Sequence, residues 1–190
     1  MGYRTVSSTL VLVLLFFVTP LSYAEDALIL SVGTLHLSHT QQNLAGNTTQ
    51  FAGETSTNYD IAWEQRHYNG IAYGAEYLMF SDSLNQNGTP ATATARLVMA
   101  TLKKYHRPWR NVYPFIGVGA GLADTTLDHI PGRNGVGVAL EVDGGVEVEW
   151  ARSVGFYTEL RALYAQPGDL YGTSTNVSGI GLYAGISLLF

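Results

Sequence analysis

The sequence predicts an all-β fold, an eight-stranded antiparallel up-and-down transmembrane β-barrel. Three observations lead to it: strand segments with two unlike faces, eight strand segments between turn signals, of which the first and fourth alternate poorly, and connections that alternate between long and short. In the clearest segment, residues 136–150, every second residue is apolar or glycine, and Glu141, Asp143 and Glu147 lie between them. A period of two describes a strand with one apolar and one charged face. The segment exceeds a usual strand of about 5–6 residues and suits a tilted membrane-spanning strand of about 9–11.

The N-terminal residues have the pattern of a secretory signal peptide. Arg4 supplies a positive charge, residues 10–18 are apolar, and Ser22 and Ala24 are small residues before a cleavage point at Glu25. We therefore expect residues 1–24 to be a cleaved signal peptide and residues 25–190 to form one domain. An uncleaved anchor is the alternative, but the apolar run is about half the length that a spanning helix needs.

The composition of the remaining chain excludes some functions. Without Arg4, 9 basic residues stand against 15 acidic ones, and this acidic balance argues against nucleic acid as a partner. The chain has no cysteine, which excludes thiolate metal sites and cysteine nucleophiles. We expect an exported chain without disulfides to be held together by hydrogen bonds and burial.

Turn signals divide the chain into eight strand segments. The segments are residues 27–37, 57–67, 70–80, 92–103, 111–122, 136–149, 153–165 and 178–190. Asn69-Gly70, between the second and the third, is the strongest short hairpin signal. The connections 38–56, 81–91, 123–135 and 166–177 are long and polar, and the others tend to be short, although 103–110 fits this rule least well. Such asymmetry is typical of barrels with short periplasmic turns and longer extracellular loops.

The charged faces predict that the lumen holds an ionic network and that the apolar faces meet lipid. Charges of both signs can pair in a narrow lumen, and glycines such as Gly117 and Gly119 would leave room for long side chains. Aromatic residues near strand ends, Tyr59, Tyr77 and Trp150 among them, suit interfacial girdles. A soluble carrier with an apolar lumen is the alternative. The predicted network residues are Glu64, Arg66, Glu76, Arg96, Glu141, Asp143, Glu147, Glu159 and Arg161.

Residues 113–123, YPFIGVGAGLA, and a two-faced final strand that ends in Phe190 carry a family resemblance. They resemble the small bacterial outer-membrane barrels, which include the opacity-type proteins and the transmembrane domain of outer membrane protein A. The resemblance is to the class and to no single member. It implies the outer membrane of a Gram-negative cell, contact with outer-membrane lipid and lipopolysaccharide, and insertion by the barrel-assembly machinery with Phe190 as assembly signal.

For such a barrel we expect a structural or surface-interaction role. Loops 38–56 and 123–135 are the candidate contact surfaces for a host or environmental ligand. Eight strands leave an interior that side chains can fill, so we expect a closed lumen. The basic residues of 103–110, Lys103 and Lys104 among them, are expected in a solvated periplasmic turn.

Enzymes occur among such barrels, so a lipid A-modifying acyl hydrolase is an alternative, and a small channel is another. A hydrolase would need a serine activated by a histidine, and His36 and Ser38 share a strand face. The signature that this enzyme class carries late in the chain does not occur here. We therefore predict no enzyme, no catalytic residue, no cofactor and no metal site.

Overall fold

The computed structural model describes residues 24–37, 39–44, 47–52, 55–86, 89–106, 110–127, 135–168 and 175–190. Residues 1–23 of the expected signal peptide lie outside this part, and the peptide stays a prediction. In the described part, no helix is long and apolar enough to cross a membrane. The strands are β1 (Ala24–Leu37), β2 (His39–Leu44), β3 (Asn47–Ala52), β4 (Thr55–His67), β5 (Ile71–Gln86), β6 (Thr89–Tyr105), β7 (Val112–Leu127), β8 (Gly135–Ala151), β9 (Val154–Gly168) and β10 (Thr175–Leu189).

Eight of these strands form a closed antiparallel barrel in the order β1-β4-β5-β6-β7-β8-β9-β10, and β10 pairs with β1. This confirms the predicted fold class. The pairing partners of Ala27, followed once around the barrel, are Glu64, Gly74, Thr101, Gly119, Glu141, Leu163 and Gly179, and the circuit ends at Leu37. The register therefore shifts by ten residues, from 27 to 37, in one circuit. In an eight-stranded barrel this shear corresponds to a strand tilt of roughly 40°.

The two ends of the barrel differ. The turn end carries the connections 68–70, 106–111 and 152–153, the start of β1 and the end of β10. At the 68–70 connection, Gly70 has a φ of 79°, which suits glycine, and its amide donates to the carbonyl of His67 at 2.8 Å. The hairpin predicted from Asn69-Gly70 is confirmed. We call the opposite end of the barrel the loop end.

The predicted connection 38–56 contains two further strands, β2 and β3, which pair as a hairpin at the loop end. His39 lies opposite Ala52, which continues the register that places His36 opposite Thr55. The hairpin therefore extends the ladder of β1 and β4. The sequence did not indicate it because these residues are polar and show no alternation of apolar and polar positions.

The other long connections and 103–110 are also shorter than predicted. The predicted loop 123–135 loses its first residues to β7, which continues to Leu127, and the loop 166–177 is shortened by β9 and β10. β5 continues to Gln86 and β6 begins at Thr89, so most of the predicted loop 81–91 lies in strands. β6 also continues to Tyr105, which places Lys103 and Lys104 in a strand. Pairing with neighbouring strands extends the ladder beyond the point where the sequence pattern ends.

The outer surface of the barrel is apolar. The facing predicted for β8 is confirmed, since Val138, Leu140 and Val142 are exposed whereas Glu141 and Asp143 are buried. The outward apolar residues of β8 run from Val136 to Val148. At a rise of about 3.3 Å and a tilt of roughly 40°, they cover about 30 Å of the barrel axis, close to the thickness of a bilayer hydrocarbon core. Apolar residues are exposed on all eight barrel strands: Leu30, Val32, Tyr59, Ile61, Ile71, Tyr77, Val98, Leu102, Ile116, Val118, Leu122, Val136, Val138, Leu140, Val142, Val148, Trp150, Phe156, Leu160, Tyr164, Ile180, Leu182 and Ile186.

The lumen is not polar throughout. Towards the loop end it is filled by an apolar cluster that includes Leu78, Leu97, Met99 and Leu163. Near the turn end a second cluster contains Ile29, Ala62, Ala72, Tyr105, Phe115 and Tyr157. The charged residues lie between and among these two clusters. Apolar side chains therefore occupy both faces of the sheet. The sequence pattern had not distinguished the apolar residues of the lumen from those of the outer surface.

Val142 lies midway along the outward apolar run of β8, and Val136 lies at its loop-end limit, with the same 61% exposure. We expect Val142→Arg to lower the free energy of unfolding in lipid vesicles by about 2–4 kcal/mol, because the charge would enter the centre of the hydrocarbon. The matched control, Val136→Arg, should cost about 0–1 kcal/mol. Denaturant unfolding in vesicles measures both, and equal losses would contradict the facing.

Candidate functional site in the barrel lumen

The charged residues of the lumen come from five strands, β4, β5, β6, β8 and β9. Side chains alternate along each strand, so every second one points inward. In the described part of the chain, seven buried carboxylates accompany three cations, so each cation has to serve several carboxylates. The cations are Arg66, Lys103 and Arg161, and the carboxylates are Asp60, Glu64, Glu76, Glu141, Asp143, Glu147 and Glu159.

Arg161 of β9 is the centre of the network. Its side chain is fully buried, and its guanidinium lies 2.7 Å from Glu159, 3.2 Å from Asp60 and 3.4 Å from Glu141. It also forms an ion pair with Glu76. These carboxylates come from β4, β5, β8 and β9, so one guanidinium joins four strands around the barrel. A planar group with five donors can satisfy several carboxylates at once, which a lysine ammonium cannot do in the same geometry.

Lys103 of β6 forms the second centre. Its ammonium lies 3.1 Å from Glu64 and 3.2 Å from Glu159, and it donates to the hydroxyl of Tyr157 at 2.8 Å. The prediction that Lys103 lies in a solvated periplasmic turn is wrong. β6 continues beyond it, and its position in the alternation of that strand turns its side chain inward. Glu159 therefore connects Lys103 to Arg161.

Arg66 of β4 closes the turn-end side of the network. Its guanidinium lies 3.2 Å from Glu64 and 2.7 Å from Glu147. It also donates to the hydroxyl of Tyr105 at 3.1 Å and lies 4.6 Å from the centre of that ring. The hydroxyl of Ser187 donates to Glu147 at 2.5 Å. Hydrogen bonds from hydroxyl groups thus supplement the ion pairs at the same carboxylates.

Glycines of β7 provide the space for the carboxylates of β8. A Cβ atom at Gly117 would lie 2.6 Å from Oδ1 of Asp143, and one at Gly119 would collide with Glu141. The prediction that glycines make room for long inward side chains is confirmed here. Asp143 is buried beside the Lys103 side chain, but in the described residues no hydrogen bond reaches its carboxylate oxygens.

Arg96 does not belong to the network. It is exposed on the outer face of β6, so the prediction that it points into the lumen is wrong. Arg96 and Lys103 are an odd number of positions apart on one strand, and an unbroken strand must turn them to opposite faces. Tyr59 and Tyr77 also differ from the prediction, because they lie within β4 and β5 and not at strand ends.

Residues that the sequence prediction did not include complete the site. Asp60 and Lys103 supply charges, and Tyr105 and Tyr157 supply hydroxyl groups. The sequence pattern did place Asp60 on the charged face of its strand, since it alternates with the apolar residues Tyr59 and Ile61, but the predicted network did not include it. The sequence did not indicate Tyr105 and Tyr157, because tyrosines in the described strands face outward as often as inward.

The remaining candidate residues lie at the two ends of the barrel or outside the described residues. His36 is exposed near the loop end, and its Nδ1 lies 3.3 Å from the Thr55 hydroxyl; Ser38 lies outside the described residues. Phe190 is exposed at the turn end, where its amide donates to the carbonyl of Asp26 at 2.9 Å. No group of three or more metal-ligating side chains is arranged to hold a metal ion within the described ranges.

The barrel is similar to solved bacterial outer-membrane proteins. Neisserial surface protein A matches with a TM-score of 0.62 and 16% identity, over 86% of this chain and 97% of that one. OprG from Pseudomonas aeruginosa matches with a TM-score of 0.57 and 14% identity, over 88% and 96%. The outer membrane protease OmpT from Escherichia coli matches with a TM-score of 0.54 and 9% identity, over 90% and 99%. At these identities the likeness concerns the fold alone. The sequence matches no protein-family model and no curated protein.

Removing the central cation should destabilise the barrel strongly. We expect Arg161→Met to lower the free energy of unfolding by about 3–5 kcal/mol, because several buried carboxylates lose their partner. The matched control is Arg96→Met, which removes an exposed arginine and leaves the lumen unchanged. Denaturant unfolding in vesicles measures both variants. Equal effects of the two substitutions would mean that the lumen network does not contribute as its geometry indicates.

Proposed function

We propose that this protein spans the outer membrane of a Gram-negative cell as a barrel with a closed lumen and acts at the cell surface through its loop-end segments. The observation that carries the proposal is the distribution of side chains. Apolar residues are exposed on every barrel strand, while Arg161, Glu159 and Glu147 are fully buried inside. A soluble barrel would place these two classes of residue the other way round.

The contents of the lumen support a structural or surface role over a channel. The ionic network connects five strands across the interior, and the apolar cluster around Leu97 and Met99 fills the lumen on its loop-end side. An interior of eight strands is just wide enough for side chains to fill it. Ions would therefore have to displace both layers to pass.

The hairpin of β2 and β3 supports contact with ligands outside the membrane. It continues the β1–β4 ladder beyond Thr55, whereas the pairing of β4 with β5 ends at Asn58. The hairpin therefore extends past the outward apolar surface. If the loop end is extracellular, as in barrels with periplasmic termini, this hairpin is presented to the environment. We infer from the same orientation that insertion uses the barrel-assembly machinery and that Phe190 at the turn end is its signal.

Epitope labelling tests the location and the orientation together. With an epitope inserted after Leu44, the protein should fractionate with the outer membrane, migrate faster on a gel before boiling, and bind antibody on intact cells. The matched control carries the epitope after Arg152, in a turn-end connection, and should be labelled only in permeabilised cells. A protein recovered in solution without detergent, with no heat-dependent mobility, would eliminate the proposal.

Planar-bilayer recordings test the closed lumen. We expect the purified protein to show no large, steady conductance, because the lumen is filled by the ionic network and the apolar cluster. Recordings on a porin in the same bilayer verify that insertion occurs. A reproducible open conductance from the unmodified protein would identify it as a channel and exclude the closed barrel.

A further inference from the structure

The outer surface of the barrel carries a groove over β10, β1, β4 and β5 with a volume of about 550 Å³. Ala184 is a small residue of the groove lining, and Leu30 and Ile186 are large apolar residues beside it. The volume is within the range of about 300–1,000 Å³ that ligand sites have. The groove belongs to the apolar surface that the proposed function places against lipid, so an apolar chain is the ligand that its lining suits.

Two tyrosines lie in the part of the groove closer to the loop end. Tyr59 is 60% exposed although it lies within β4. Tyr77 lies on the neighbouring strand β5, and both tyrosines line the groove. Tyrosine combines an apolar ring with a hydroxyl that needs a polar partner when it is removed from water. Ester or amide carbonyls at the head of an acyl chain would supply such partners in a membrane.

Arg96 lies directly beyond this end of the groove. Met79 of β5 lines the groove, and Arg96 is its cross-strand partner on the same outer face of β6. In such a pair the Cβ atoms are about 4.5–5.5 Å apart. Arg96 is exposed and has no ion-pair partner in the described part of the chain, although Asp124 lies opposite it on β7. A guanidinium is suited to bind a phosphate group.

The outer face of β6 places Arg96 at the boundary of the apolar surface. Its outward residues are, in order, Arg96, Val98, Ala100, Leu102 and Lys104. Arg96 and Lys104 are about 20 Å apart along the axis at a tilt of roughly 40°. Charged side chains on a lipid face are tolerated near the interface and are costly at the centre of the hydrocarbon. A long arginine side chain reaches the interface from a backbone position somewhat inside it, so the Arg96 guanidinium can reach head-group level on the loop-end side.

We propose that the groove and Arg96 form one binding site for a phosphorylated, multiply acylated glycolipid of the lipid A class. An acyl chain occupies the groove along Ala184, the tyrosine hydroxyls donate to carbonyls at the head of the chain, and Arg96 binds the phosphate. This inference rests on the proposed function, because it requires the loop end to face the outer leaflet, where such lipids reside.

Native mass spectrometry of the folded, full-length protein titrated with purified lipid A tests the site. We expect one lipid A to be retained by the unmodified protein. Arg96→Gln, which removes the charge, and Ala184→Trp, which fills the groove, should each weaken retention about tenfold, the effect of losing one charge-assisted hydrogen bond or the equivalent contact. Lys104→Gln and Ala120→Trp are the matched controls, since both residues face outward and lie outside the groove. Both controls should retain lipid A like the unmodified protein.

Phosphatidylglycerol and phosphatidylcholine, titrated in the same way, distinguish the source of the ligand. Phosphatidylglycerol retained as tightly as lipid A would overturn the assignment to a glycolipid. Equal retention of all three lipids, or equal losses in test and control variants, would overturn the site itself. Heat-dependent gel mobility of every variant verifies folding. A protein that never inserts into vesicles would refute the proposed function, whereas an inserted protein without lipid A selectivity would refute only this inference.

Discussion

Closure of the sheet is the constraint on which the rest of the structure depends. A membrane offers no water to the backbone, so every strand edge has to be paired. Here β10 pairs with β1 with a shear of ten residues, from Ala27 to Leu37 in one circuit. Because side chains alternate along a strand, this fixed register assigns each residue either to the lumen or to the outside. Once the facing of one strand is set, the backbone pairing therefore sets the facing of its neighbours.

The lumen shows how buried charges are accommodated under that constraint. Removing charges from water is costly, and the cost is offset only where partners and hydrogen bonds are close. Arg161 joins carboxylates from four strands, and Glu159 links it to Lys103. Gly117 and Gly119 supply the volume that the β8 carboxylates occupy. Networks of this kind act as a unit, so the interior holds the strands in register, and in the proposed function it also closes the lumen.

The outer surface is apolar but not uniform. Most of its residues form a surface that any lipid can contact, whereas the groove near Ala184 ends beside Arg96. The two parts of the surface suit different roles. General contact with lipid would stabilise the barrel in a membrane, whereas a groove with a cation at its end can select one lipid. The β2–β3 hairpin extends beyond both, at the loop end. Under the proposed function, the barrel thus separates its anchoring surface from the segment that is available to ligands outside the membrane.

The sequence by itself determined the eight barrel strands, the turn at Gly70 and the facing of β8, because strong alternation and Asn69-Gly70 are local signals. It also identified most of the lumen charges. It could not determine the facing of β6, where apolar residues occur on both faces. Arg96 and Lys103 have opposite parity on that strand, so one of them had to be inside. Only the tertiary register decided which, since it places Lys103 between Ala72 and Gly117, both of which face the lumen.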